Sequence, residues 1–440
     1  MTSETTETHS PEGAEQPEEE ITQTVALQTL QPQRKFHQKV AITRGPFDPG
    51  GQPDVESPHR LLVGLWGWNA SCGTVASKAV LEDRDRFRDY WQWPRASALV
   101  ESADRAGFDF ELPFERRFGY AGEIGFHEDS LDSLTTAPAL AQVTENLTLF
   151  SSIHMNEHAH PLHIARFGGN FDHVSNGRWG LNIVPGWSRR DAEVIGLDND
   201  YSLRYEIADE FVTLMKHWWS LTTPFEFEGE YFKSTRVGMV GPRPTRQPRP
   251  ILICGDASEG AVDFAAKHCD WLLCNAPEDD LSLLAPHVER TRVYAAHNYG
   301  RRLKMLVQVF VTMAETAESA QAEYDELVAA IDSTAADNIV TEALEQPAEA
   351  EGLLDTAIAD RLGDGSLEEL VGTANYRKLA IGFGGIHLMG SFDDVAEQLR
   401  DLADDHMQDA VALSFLDPMK GVHEVEDELM PRLKKMGLRA

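Results

Sequence analysis

The chain has 440 residues and carries 72 acidic against 39 basic side chains, a formal net charge of −33. A field of that sign repels phosphate backbones and anionic lipid heads, which argues against nucleic acid and membrane surfaces as partners. The length suffices for a large core without covalent staples, and the four cysteines, which form no CxxC pair, suggest neither a disulfide framework nor a zinc knuckle.

Residues 1–34 are polar and acidic and are expected to form a disordered tail. The first twenty hold seven Glu and no Lys or Arg, the reverse of a secretory leader. No apolar run approaches the ~18 residues of a membrane span, so a cytoplasmic location is expected. Residues 35–58, punctuated by Pro and Gly, read as an irregular N-terminal arm.

From residue 59 the pattern alternates. Leu61–Trp68 (LLVGLWGW) is a short apolar run, and a helical stretch follows to Ala106 and Gly107. Phe108–Leu112, Leu147–Ile153 and Trp179–Val184 read as strands, separated by helices over Leu131–Val143 and His163–Val174. Leu203, Ile207, Phe211, Leu214, Met215 and Trp218 then fall on one helical face, with Asp200 or Ser202 available as N-cap. FEFEGEYF at 225–232 suggests a β-hairpin outside the alternation. Ile251–Cys254, Trp271–Cys274, Met305–Thr312 and Ala410–Phe415 continue the strands. Residues 333–378 are acidic and poor in aromatics, as in an insertion or a lid, and Val395–Leu402 is helical.

Eight short apolar strands alternating with helices predict parallel β/α units, and eight is the number that closes a (β/α)8 TIM barrel. An open doubly wound sheet would want GxGxxG after its first strand, where this chain has Trp66-Gly67-Trp68-Asn69-Ala70-Ser71-Cys72-Gly73. The expectation is one barrel domain over 59–440, with an insertion at about 333–378.

In such a barrel ligands sit at the carboxyl ends of the strands. Those ends are Asn69, Pro113–Arg117, His154–His158, Pro185–Trp187, Gly255–Ser258 and Asn275. The set is aromatic, amide-bearing and cationic within an acidic protein, which suits a planar, anionic ligand. Gly255–Ser258 runs from a strand into a helix whose first N–H groups are unpaired, so it can hold a phosphate or serve as a plain N-cap. Asn182 could meet the edge of a heterocycle. Arg204 sits badly against its helix dipole unless an anion shares the site. His154, His158, His160 and His163 match no standard ligand spacing, so no metal site is expected. His127, beside Glu128 and Asp129, is either part of a helix-start charge cluster or a pocket edge.

A run of segments in fixed order carries a family resemblance. They are Gly107-Phe108-Asp109-Phe110, Ser175–Arg178 with Trp179–Trp187, Ser202–Tyr205, Phe227–Phe232, Pro242-Arg243-Pro244 with Gln247-Pro248, Ser258 after a glycine, and Met389-Gly390-Ser391. The chain resembles the bacterial-luciferase-like flavin-dependent monooxygenases, in the subgroup of pyrimidine-ring-opening, dimethylsulfone and alkanesulfonate monooxygenases. The resemblance implies a TIM barrel and a two-component enzyme. In such an enzyme an NAD(P)H-dependent flavin reductase supplies reduced FMN (FMNH2). Reaction with O2 then gives a flavin peroxide that oxygenates a small organosulfur, heterocyclic or substituted aromatic substrate.

By position the resemblance implies that Glu115, Arg116, Asn182, Asp191, Arg204, Tyr205 and Ser258 bind the flavin. Asn182, Arg204 and His154 are the expected catalytic residues, and Trp66, Trp68, Asn156 and Trp187, with His154, the expected substrate lining. Arg117 or Arg189 could neutralise an anionic substrate. Homo-oligomers are common in the family, and Phe87, Trp91 and Trp93 are available either as anchors for one or as a loop packing on its own barrel. Tyr201 stands where the alkanesulfonate enzymes have a histidine, and Glu115-Arg116 replaces the apolar-Lys pair of the pyrimidine enzymes. An F420-dependent hydride-transfer enzyme of the same barrel family is the main alternative, and a catalytically idle flavin-binding or oligomer-partner protein is another.

Overall fold

A computed structural model describes residues 52–53, 57–155, 160–186, 203–220, 225–237, 241–246, 249–255, 258–274, 281–344 and 366–440. The expected tail at 1–34 and most of the 35–58 arm lie outside them.

The apolar runs are buried on both faces, as strands of a closed parallel sheet must be. In chain order the strands of the structure are β1 (Leu62–Trp66), β2 (Phe110–Leu112), β3 (Thr148–His154), β4 (Trp179–Val184), an antiparallel pair β5 (Phe225–Glu228) and β6 (Lys233–Val237) outside the barrel, β7 (Ile251–Gly255), β8 (Trp271–Cys274), β9 (Lys304–Ala314), β10 (Ile386–Ser391) and β11 (Ala410–Ser414). Parallel pairing runs β1–β2–β3–β4–β7–β8–β9–β11 and returns to β1, which closes the predicted eight-stranded barrel. Helices flank it, including Trp93–Arg105, Ser133–Leu140, Pro161–Val174, Arg204–Ser220, Glu259–His268 and Leu284–Tyr299.

Alternate residues fill the barrel or meet the helices. Inside, Phe110 packs edge-on against Phe150 and Trp271 at centroid distances of 6.2 and 5.3 Å. Glycine makes the room: a Cβ on Gly64 would lie 2.2 Å from the Phe110 ring, and one on Gly180 2.3 Å from Phe150. All four cysteines are free and buried.

Three details differ from the pattern reading. The helix read from His163 begins two residues earlier, at Pro161; the proline's missing N–H costs nothing in the first turn, and His160 caps the helix by accepting from Leu162 N at 3.3 Å. The hairpin is formed by β5 and β6, so its second strand lies beyond the predicted 225–232. Strand β10, which the pattern reading did not separate, pairs with β9 from Val309 to Ala314, where the eleven-residue β9 has run past its contact with β8.

The 333–378 region contributes the helices Ser333–Leu344, Leu367–Leu370 and Ala374–Ala380, with 345–365 outside the described residues. Ile339, Val340 and Tyr376 join Val75, Tyr120 and Phe126 in a second apolar cluster beside the barrel. Among the described residues no helix is long and apolar enough to cross a membrane.

Candidate active site at the carboxyl end of the barrel

Strand register brings the candidates together. On β3 and β4, Ser152 pairs with Asn182 and His154 with Val184. On β4 and β7, Asn182 pairs with Ile253, two residues before Gly255. Ser152, His154, Asn182 and Gly255 share the parity of the barrel-filling residues Phe150 and Ile253, so they face the interior at its carboxyl end.

One group gathers after β7. Ser258 caps the Glu259–His268 helix by accepting from Ala261 N at 3.2 Å, and it donates to Tyr205 Oη at 3.0 Å. The Tyr205 ring lies over Gly260, where a Cβ would meet it at 2.6 Å. The Arg204 guanidinium stacks on the same ring at 4.5 Å, and the residue is buried. A Cβ on Gly255 would meet no atom within 4 Å, so the chain there borders open space. A guanidinium, two hydroxyls and a helix N-terminus beside an open glycine form a donor set that fits a phosphate. Ser258 is an N-cap, as one of the two sequence readings had it, and its hydroxyl also stands in this donor set.

A second group lies at the ends of β2, β3 and β4. Asn182 Nδ2 donates to Ser152 Oγ at 3.1 Å, and Ser152 Oγ donates to the Pro113 carbonyl at 3.0 Å. Ser133 Oγ accepts from Ser152 N at 2.9 Å and stands 3.1 Å from Glu115 Oε2. Glu115 also pairs with Arg117 at 2.9 Å. Burial pushes the Glu115 carboxyl up to about 7; Arg117, His154 and the Ser133 hydroxyl oppose that rise, and Asp132 adds to it. Its proton thus comes and goes near neutrality.

Aromatic rings cover this end. Phe114 stands 5.1 Å from Trp66, 4.6 Å from His127 and 5.4 Å from Phe383. Burial pushes the His127 imidazole down to about 3, so it stays neutral, with Nε2 at 2.6 Å from the Gly73 carbonyl. Phe383 has φ +49°, a conformation costly for a bulky side chain, between Gly382 and Gly384, both also at positive φ. His127 packs at this edge, one of the two places the sequence left open for it, whereas Phe383, Ser133 and Ser152 were not among the predicted residues. The adjacent serines in the apolar run LTLFSSI were the available signal for Ser152, and the glycines of Gly382-Phe383-Gly384-Gly385 the one for a turn at Phe383.

Other candidates fall elsewhere. Trp68 lies outside the barrel: Gly67, at φ +70°, ends the alternation of β1, and the Trp68 indole donates to the buried Glu111 at 2.7 Å among helix-packing residues. It does not join Trp66 on the interior side. Arg116 is buried beside the Ser333–Leu344 helix, 3.4 Å from Glu342 and stacked on Tyr120 at 4.5 Å. Asn69 braces the β2 loop, accepting from Phe114 N at 2.7 Å. Asn156, Trp187 and Asp191 lie outside the described residues, as do His158, Arg189 and Asn275.

A sequence profile of the family described as luciferase-like monooxygenase matches residues 80–408. Among curated proteins, the pyrimidine monooxygenase RutA of Pseudomonas savastanoi pv. phaseolicola is 28% identical over 341 residues, which cover 76% of this chain and 87% of that protein. Among solved structures, riboflavin lyase (RcaE) with modified FMN and riboflavin superposes with a TM-score of 0.75 at 20% identity, over 87% of this chain and 93% of that one. DmoA from Hyphomicrobium sulfonivorans gives 0.68 at 20% identity, over 87% and 89%. At these identities the two structures speak to the fold.

Proposed function

The chain belongs to the luciferase-like monooxygenase family, a flavin-dependent class of oxidoreductase, and from that premise we propose that it works with FMN, delivered reduced by a separate NAD(P)H-dependent flavin reductase, and with O2. The substrate class we propose is a small organosulfur, heterocyclic or substituted aromatic molecule. The observation that carries the reading is the convergence of Arg204, Tyr205 and Ser258 on a helix N-terminus beside the open edge at Gly255. Such a set recognises a phosphate, and the strand next to it offers Asn182 to a planar ring system.

When bound, reduced FMN supplies the electron pair that O2 chemistry requires. The protein's part is to bind, orient and keep water out. Arg204 and the two hydroxyls neutralise and hold the phosphate. Asn182 offers hydrogen bonds to the ring edge, and negative charge developing there meets fixed dipoles rather than mobile water. Glu115, with its carboxyl near 7, can hold or release a proton at Oε2, which Ser133 contacts, and His154 at the end of β3 is close enough to perturb it electrostatically. Trp66, Phe114 and Phe383 form the apolar side that excludes water. Asn156, Trp187 and Asp191 remain proposed for substrate and flavin, and Arg116 for the flavin edge. A homo-oligomer remains part of the proposal; of the expected anchors, Phe87 packs on the chain's own second apolar cluster and Trp93 is 37% exposed.

Anaerobic titration with reduced FMN, followed by mixing with oxygen, tests the proposal across sulfonates, sulfones, cyclic amides and halophenols. Saturable binding and oxygen-dependent product are expected from at least one class. Oxygen-independent turnover with a deazaflavin, and none with FMN, would replace the reading by hydride transfer.

A further inference from the structure

Ser152 carries a constraint that its neighbours do not. Its hydroxyl owns one proton, and the nearest acceptor for it is the Pro113 carbonyl, at 3.0 Å. A carbonyl can only accept, so that proton is committed. Ser152 Oγ can then meet Asn182 only as an acceptor, which obliges the carboxamide to turn its nitrogen toward Ser152, as the 3.1 Å contact has it. Ser152 is 1% exposed and cannot exchange either partner for water, whereas Asn182 is half-buried and keeps an accessible end. The strand register fixes the pair, because Ser152 and Asn182 stand opposite one another on β3 and β4.

We propose that Ser152 is a positioning residue that locks the Asn182 carboxamide with Oδ1 as the atom presented to the ligand, so that the site selects a ring edge carrying an N–H donor. This inference rests on the flavin reading above and refines it. Reduction converts a central ring nitrogen of an isoalloxazine from acceptor to N–H donor. A locked carbonyl oxygen set against that nitrogen therefore favours the reduced ring. Set against the pyrimidine N–H, a donor in both states, it would favour neither and would overturn the inference by leaving the native protein without a preference; an amide free to turn over would serve both states. Asn and Gln amides are ambidextrous by nature, and only a partner of fixed polarity removes the ambiguity.

The test is the ratio of dissociation constants for oxidised and reduced FMN, measured anaerobically by titration of the whole protein. The native protein should favour reduced FMN by roughly tenfold or more, the scale of one well-made hydrogen bond against a mismatched one. Ser152→Ala should bring that preference down by about three- to tenfold, and Ser152→Thr, which keeps the hydroxyl, should retain it. In an Asn182→Ala background Ser152→Ala should change the ratio no further, because the effect passes through the amide. Should Ser152→Ala fail to fold, Ser152→Cys, a weaker donor, replaces it with an intermediate ratio expected. A native-like ratio in a folded Ser152→Ala or Ser152→Cys variant, or an equal fall in Ser152→Thr, overturns the lock while leaving the flavin reading intact. Failure of the native protein to bind FMN in either state removes the flavin reading itself, and this inference with it.

Discussion

Glu115 is buried at the end of β2 with one cation and one hydroxyl for company, and burial is the larger influence on its carboxyl. Its folded pKa, about 7, stands above the ~4.3 of an unfolded glutamate, so between those values the native state binds more protons than the unfolded one. Stability from this group is therefore full below about pH 4, declines as pH rises through the window, and is lost above about 7. Glu115→Gln removes the slope. Urea melts at pH 5 and pH 8 should show the variant gaining on the native protein by an amount on the order of 1–3 kcal/mol between the two. A difference that does not change with pH would mean that the carboxyl titrates normally. Tyr205 permits a second residue-scale experiment. Tyr205→Phe removes the phenol that Ser258 meets, so FMN affinity should fall about three- to tenfold while riboflavin, which lacks the phosphate, binds as before. Equal losses for both ligands would place the phosphate elsewhere.

Elements built from continuous apolar runs were legible, because a strand buried on both faces leaves its composition as its signature. That is why all eight barrel strands were readable, and why β10 was not. Its residues Ile386–Ser391 alternate buried and half-buried positions, and its partner is the half of β9 that has run past β8. The candidate site was legible where a residue type has one use at a strand or helix end, as with Arg204 beside Tyr205 and Asn182 in β4. It was not legible where a turn changes direction: Trp66 and Trp68 look equivalent by spacing, and only the left-handed Gly67 separates them. Arg116 shows the same limit, because its partner Glu342 lies 226 residues away. That contact fastens the β2 loop to the Ser333–Leu344 helix, together with Asn338 Nδ2 donating to the Tyr120 carbonyl at 2.8 Å. Breaking the buried pair by Glu342→Ala should cost about 3–5 kcal/mol, and Arg116→Ala with Glu342→Ala together should cost less than the sum. Thermal melts of the four proteins measure the coupling. A loss of FMN affinity in Arg116→Ala that Glu342→Ala does not share would instead give Arg116 a direct part in the flavin site.

At the scale of the whole molecule, the end of the barrel opposite the site is where distant parts of the chain converge. Arg439 donates to Asp109 and, at 3.0 Å, to the Leu61 carbonyl, while the Leu438 carbonyl accepts from Arg60 N at 2.9 Å. Asp109 in turn accepts from Val63 N at 2.8 Å and Ser57 Oγ at 3.1 Å. The Gly-Phe-Asp-Phe segment that helps mark the family is thus a structural anchor: its aspartate joins the start of β1, the start of β2 and the 438–439 segment. The side chains of the Asp109–Arg439 pair are almost wholly buried, so removing one partner leaves a charge without its counter-ion and with little access to water. Arg439→Ala should cost about 3–5 kcal/mol, and adding Asp109→Asn should recover part of that loss, since an amide keeps the acceptor that Val63 N needs. Because the pair sits at the amino ends of the strands and the candidate site at their carboxyl ends, FMN affinity measured well below the melting temperature should not change. Urea melts and FMN titrations on the same preparations separate the two effects. A parallel fall in affinity would mean that the barrel transmits strain along its strands, so that its two ends do not behave as independent parts.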